Sequence, residues 1–103
     1  MINWKIEKLQ AGEIIISKEP GNSMTPILMS RQPVEITPCT WEDVEEGDIV
    51  YCKVKGNCYT HLVKAKNEKR GVLIGNNHGH LNGWTKKVYG KVTKIIDDNA
   101  GKN

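Results

Sequence analysis

Ile49-Val50-Tyr51-Cys52-Lys53-Val54-Lys55-Gly56-Asn57-Cys58-Tyr59-Thr60-His61-Leu62-Val63 decides the fold. Two runs rich in β-branched and aromatic residues flank Lys55-Gly56-Asn57, and that pattern predicts a β-hairpin. On its second strand, alternation puts His61, Val63 and Ala65 on one face and Leu62, Lys64 and Lys66 on the other. Moving towards the N-terminus, Glu45-Glu46-Gly47-Asp48 reads as a turn. Thr40-Trp41-Glu42-Asp43 has the spacing of a capping box over a single helical turn. Pro33 to Pro38 alternates apolar and polar residues between two prolines, which predicts an edge strand. Glu13 to Ser17 is a further short strand, closed by Glu19-Pro20-Gly21. The first ten residues fit a helix or a strand equally. Towards the C-terminus, a turn over 67–71 leads into Val72-Leu73-Ile74. Gly75 to Gly83 is rich in Gly and Asn and reads as a long loop. Val88 to Ile96 is a closing strand, and the polar residues 97–103 read as a frayed tail. The expectation is one all-β domain, a barrel or sheet complex of short strands with little helix.

Composition narrows the classes. The 103 residues suit a single core, and apolar residues (38%) and charged residues (26%) stand in the proportions of a soluble globular chain. No apolar run approaches the roughly 18 residues of a membrane span, Ile14-Ile15-Ile16 being the longest aliphatic run. The mixed charges of Met1 to Lys8 do not form a signal peptide, so the expected location is the cytoplasm, with no membrane partner. In that compartment Cys39, Cys52 and Cys58 are expected as reduced thiols acting as small hydrophobes. Cys52, Cys58, His61, His78 and His80 match no zinc-ligand spacing, so neither a metal nor another cofactor is expected. The net charge of +3 is mild. Lys86, Lys87, Lys91 and Lys94 lie among β-branched residues without interleaved aromatics, which argues for a solvated lysine face and against nucleic acid.

Chemistry concentrates at Gly21-Asn22-Ser23-Met24-Thr25-Pro26-Ile27-Leu28. A serine attacking a carbonyl needs an exposed turn, a nearby base and backbone N–H groups facing the developing oxyanion. This Gly-x-Ser-Met-x-Pro segment resembles the nucleophile box of the type I signal peptidases and LexA-like peptidases. Further boxes follow in that superfamily's order. Glu46-Gly47-Asp48-Ile49-Val50 resembles its Gly-Asp-hydrophobic strand start, and Tyr59-Thr60-His61-Leu62-Val63 the strand carrying the catalytic base. Ile74-Gly75-Asn76-Asn77 resembles the Gly-Asp-Asn box, and the segment from Gly83 to Val92 the closing strand with its Val-x-Gly-x-Val core. The resemblance spans residues 14–96.

The resemblance implies Ser23 as nucleophile and His61 as base. Histidine is the base in the endoplasmic-reticulum branch, where bacterial signal peptidases and LexA use lysine. It also implies supporting roles for Gly21, for Met24 as a wall of the substrate groove, and for Asn76 and Asn82. Considered alone, Met24 reads as packing. A neutral imidazole can accept the serine proton near neutral pH without the pKa depression a lysine needs, and Lys64 is the rival base. Relatives place acids where this chain has Asn76 and, a few positions on, Asn82. An amide can orient an imidazole but stabilises imidazolium less than a carboxylate does. Two functions follow. One is a Ser-His serine endopeptidase acting on a protein or peptide substrate, on itself or another cytosolic protein. The alternative is a catalytically inactive module that keeps the fold and binds a protein.

Overall fold

The structure, a computed structural model, describes residues 3–19, 24, 25, 27 and 31–96. The chain opens with helix α1 (Trp4–Gln10), followed by β1 (Ile15–Lys18) and β2 (Pro33–Pro38). A 3-10 turn (Trp41–Asp43) then precedes β3 (Ile49–Val54), β4 (Asn57–Asn67), β5 (Gly71–Gly75), β6 (Leu81–Thr85) and β7 (Val88–Ile95). All seven strands join one antiparallel sheet in the order β1-β2-β7-β3-β4-β5-β6. The fold is all-β. Among the described residues no helix is long and apolar enough to cross a membrane.

The central hairpin forms as its sequence dictates. Val54 pairs with Asn57, leaving the two-residue turn Lys55-Gly56 with φ of 51° and 87°. Positive φ at both positions matches the right-handed twist of the flanking strands, and glycine takes the second at no steric cost. β3 is buried along nearly its whole length because it feeds two cores. Ile49 and Tyr51 join Leu9, Ile15, Met24, Val34 and Ile36 on one side. Val50, Cys52 and Val54 join Val44, Val63, Val72, Ile74 and Val88 on the other.

Strand irregularities let one sheet wrap around both cores. Four residues have no cross-strand partner in an otherwise regular ladder: Lys64 in β4, Asn82 in β6, and Tyr89 and Thr93 in β7. Each such bulge bends its strand and increases the local twist. At the far end β6 folds back on to β3, where the Thr85 hydroxyl donates to the Lys53 carbonyl at 2.6 Å. The helix packs against β1, β2 and β7. Asn3 caps α1, its Oδ1 accepting from the N–H groups of Lys5 (3.0 Å) and Ile6 (3.3 Å). Seven residues are too few for a helix to persist alone in water, so α1 depends on docking Leu9 into the core. Leu9 reaches β7 at Gly90, where an added Cβ would stand 3.1 Å from Leu9 Cδ2 and 2.7 Å from Ile36 Cγ2.

Several expectations change. The ambiguous N-terminus is a helix. β2 is interior, between β1 and β7, because its prolines occupy the strand ends and cost the ladder little. The long loop over 75–83 is shorter, since Leu81–Thr85 forms β6. The bulge at Lys64 breaks the expected alternation, and Lys66 returns to the side of Val63. Its Nζ donates to the carbonyls of Glu42 and Val44, both at 2.9 Å. The 3-10 turn matches its capping signal, with Asp43 Oδ2 accepting from the Thr40 N–H at 3.0 Å. Residues 97–103 lie outside the described part of the chain.

The isoleucine triplet offers a direct check. Ile15 is 7% exposed, whereas Ile14 and Ile16 are 59% and 52% exposed. In urea unfolding, Ile15→Ala is expected to lower stability by about 2–4 kcal/mol, and Ile14→Ala or Ile16→Ala by less than about 1 kcal/mol.

Candidate functional site

His61 stands opposite Val50 in the centre of the sheet and is 8% exposed. Its ring stacks on Tyr59 with centroids 4.9 Å apart and planes 25° from parallel. Nδ1 lies 2.8 Å from Asn82 Oδ1. An amide oxygen only accepts, so Nδ1 carries the proton and donates, and Nε2 holds the basic lone pair. Asn82 reaches the ring because β6 carries one extra residue there. Ile74 pairs with Gly83 and Gly75 with Leu81, which leaves Asn82 out of the ladder.

Burial lowers the His61 pKa below its ordinary 6.5, and the charge of His80 acts in the same direction. The bond to Asn82 and the carboxylate of Glu19 act against the shift without cancelling it. The imidazole is therefore neutral at pH 7. Below about pH 6.5 the unfolded chain takes up this proton more readily than the folded one. That part of the stability is therefore lost as pH falls from 6.5 towards the folded pKa.

Glu19, just past β1, bonds the neighbour of His61 in β4. Its Oε1 accepts from the Thr60 hydroxyl at 2.8 Å, and its Oε2 from Ser17 Oγ at 2.5 Å and Lys5 Nζ at 2.6 Å. Burial pushes the carboxyl up, but these hydrogen bonds and the Lys5 charge outweigh it and hold Glu19 below the usual carboxylate range. Its backbone carbonyl accepts from the Arg31 N–H at 2.8 Å. Negative charge thus reaches His61 from a part of the chain far from the Asn76 and Asn82 positions.

The β5–β6 connection holds the described part of the nucleophile box. Asn77 Nδ2 donates to the Thr25 carbonyl at 2.8 Å, and Thr25 Oγ1 is 3.1 Å from His78 Nε2. Met24 is 4% exposed and packs in the core with Leu9, Ile15 and Tyr51, so it anchors the segment. Asn76 shapes the connection, its Oδ1 accepting from the N–H groups of His78 (2.8 Å) and His80 (3.0 Å). It is not among the residues bonded to His61. Gly21 and Ser23 lie outside the described residues.

One short stretch of chain, residues 77–82, therefore grips both Thr25, two positions after Ser23, and the His61 ring. Sequence reasoning missed Glu19 and Asn77. The only local trace of Glu19 is the Ser17-x-Glu19 pattern just before the box. Lys64 lies across Gly75, with its Cε 3.1 Å from where a Cβ there would stand. Among the described residues no three His, Cys, Asp or Glu side chains gather to hold a metal. Cys52 packs in one core and Cys58 against the other. The chain matches no family model, no curated protein and no solved structure.

Histidine titration followed by NMR should place the His61 midpoint below 6.5. Asn82→Asp should raise it by about one pH unit, since a carboxylate favours imidazolium. A midpoint at or above 6.5 in the unaltered protein, or one unmoved by Asn82→Asp, would contradict the tautomer and the pairing.

Proposed function

We propose that the domain is a serine endopeptidase of the Ser-His type, acting on a protein or peptide, with Ser23 as nucleophile and His61 as general base. The supporting observation is the buried, neutral imidazole whose Nδ1 is fixed by Asn82, which leaves Nε2 as the proton acceptor. Asn82 is a positioning residue: it sets the ring's tautomer and plane. The grip of Asn77 on Thr25 ties the box that contains Ser23 to the same stretch of chain. In the proposed reaction Ser23 Oγ attacks the peptide carbonyl carbon while Nε2 takes the hydroxyl proton. The imidazolium then returns that proton to the departing amine, and water deacylates the serine ester by the same route in reverse.

The same observation favours a second reading. The partner of Nδ1 is an amide, and an amide stabilises imidazolium less than a carboxylate does. A domain that binds a protein partner without cutting it would keep this arrangement for stability alone.

Labelling with a fluorophosphonate, located by mass spectrometry, separates the two. Catalysis predicts modification at Ser23 that rises through a midpoint below pH 6.5 and stays level to pH 8. His61→Ala should reduce the labelling rate by about 10²–10⁴-fold, and Asn82→Ala by a smaller factor. Lys64→Ala should leave most of it. A midpoint well above pH 7 with loss in Lys64→Ala would move the base to Lys64. No labelling of Ser23 at any pH would leave the binding module as the function.

A further inference from the structure

We propose that the surface running from the β3–β4 turn across the β6–β7 turn to the β4–β5 turn binds single-stranded nucleic acid. The inference is independent of Ser23 and His61. The three turns and the strand ends beside them bring together Lys53, Lys55, Lys69, Arg70, Lys86 and Lys87. The fold-back of β6 on to β3 creates this grouping. Thr85 bonds the Lys53 carbonyl, and the Lys53 N–H donates to the Lys87 carbonyl at 2.9 Å. Lys55 Nζ lies 3.8 Å from where a Cβ on Gly83 would stand, and Lys86 Cγ lies 2.7 Å from the same point on Gly71. All but the half-buried Lys53 are exposed.

Among the described residues none of these cations is in an ion pair, the pairs being Lys5–Glu19 and Lys8–Glu13. Within the three turns the carboxylate is Glu68, which shares a cleft with Glu42, Lys66 and Trp41 beside them. The chain has a net charge of +3, so with these six cations set aside the remainder is acidic. Positive charge is thus gathered on this surface, and such a concentration draws polyanions.

Aromatic rings set this surface apart from an ordinary solvated lysine face. The Arg70 guanidinium lies 5.6 Å from the centre of the Trp84 ring, and Lys86 Nζ lies 5.3 Å from that of Trp41. Lys86 and Lys87 also line a groove of about 690 Å³ together with Pro38, Thr40 and Tyr89. Unpaired bases stack on aromatic rings and guanidinium planes while lysines hold the phosphates. An acidic peptide would use the charges but leave the rings idle, and a duplex hides its base faces. The expectation against nucleic acid rested on four lysines treated as one face. The structure separates them: Lys94 pairs across the sheet with Glu35 and Lys91 with Val50, while Lys86 and Lys87 join Arg70 and Trp84 from other elements.

Fluorescence anisotropy of a labelled dT20 oligonucleotide titrated with the full chain tests the proposal. Saturable binding is expected in about 50 mM NaCl, weakening with a log–log salt slope of about −3 to −4 for about five phosphates neutralised. Lys86→Glu/Lys87→Glu should weaken it about tenfold or more at this slope. Trp84→Leu should weaken it by about fivefold or more through lost stacking. Arg70→Gln, at an exposed position, carries the same expectation if Trp84→Leu unfolds. Lys18→Glu/Lys94→Glu makes the same charge change elsewhere and should cost no more than about twofold. Three outcomes would overturn the proposal: no saturable binding, equal losses in Lys18→Glu/Lys94→Glu, or displacement of dT20 by polyglutamate of equal charge.

Discussion

Both cores hang on the alternation of side chains along β3 and the first half of β4. Ile49 and Tyr51 hold one core, and Val50, Cys52 and Val54 hold the other. A one-residue slip in this pair would exchange the two sets and put each in the wrong core. Few antiparallel hairpins are so constrained, because most bury a single face. The constraint extends to His61. Its place opposite Val50, between Tyr59 and Val63, fixes the side of the sheet on which the imidazole lies.

Against this rigid centre, the departures from regularity supply the polar geometry. A strictly regular β6 would keep Asn82 in the ladder opposite Gly75. The extra residue takes it out of the ladder and allows Nδ1 of His61 to be met at 2.8 Å. The bulge at Lys64 likewise ends the alternation of β4 just past the imidazole and sends Lys66 to the Val44 side. Bends at four points let the sheet curl, and the same bends re-aim side chains.

The parts legible in the sequence are those governed by local chemistry. β3 runs from Ile49 to Val54 as its residues suggest, with a turn at Lys55-Gly56, and Thr40 and Asp43 cap their helical turn. What stayed hidden depends on distant contacts. Asn82 and Gly83 disguise β6, which is held in place by pairing with β5. The prolines of β2 suggested an edge, yet both sit where the ladder tolerates them. α1 exists because Leu9 finds a core and Asn3 a helix end to cap. At the site, His61 and Asn82 were accessible through family resemblance. Glu19 meets Thr60, and Asn77 meets Thr25, across 41 and 52 positions of chain, separations that local patterns do not encode.

The bond from the Arg31 N–H to the Glu19 carbonyl joins the two ends of the segment between β1 and β2. The described chain on either side of this segment, Glu19 and Arg31, is thus held together by the backbone itself. Closure entropy grows only with the logarithm of loop length, about 0.6 kcal/mol for each doubling. Residues could therefore be added to or removed from this segment with little effect on the sheet, provided Met24 keeps its seat in the core and Thr25 its bond to Asn77. A scaffold built in this way lets the segment bearing the serine diverge in length and sequence while the strand bearing the histidine is held fast by the two cores.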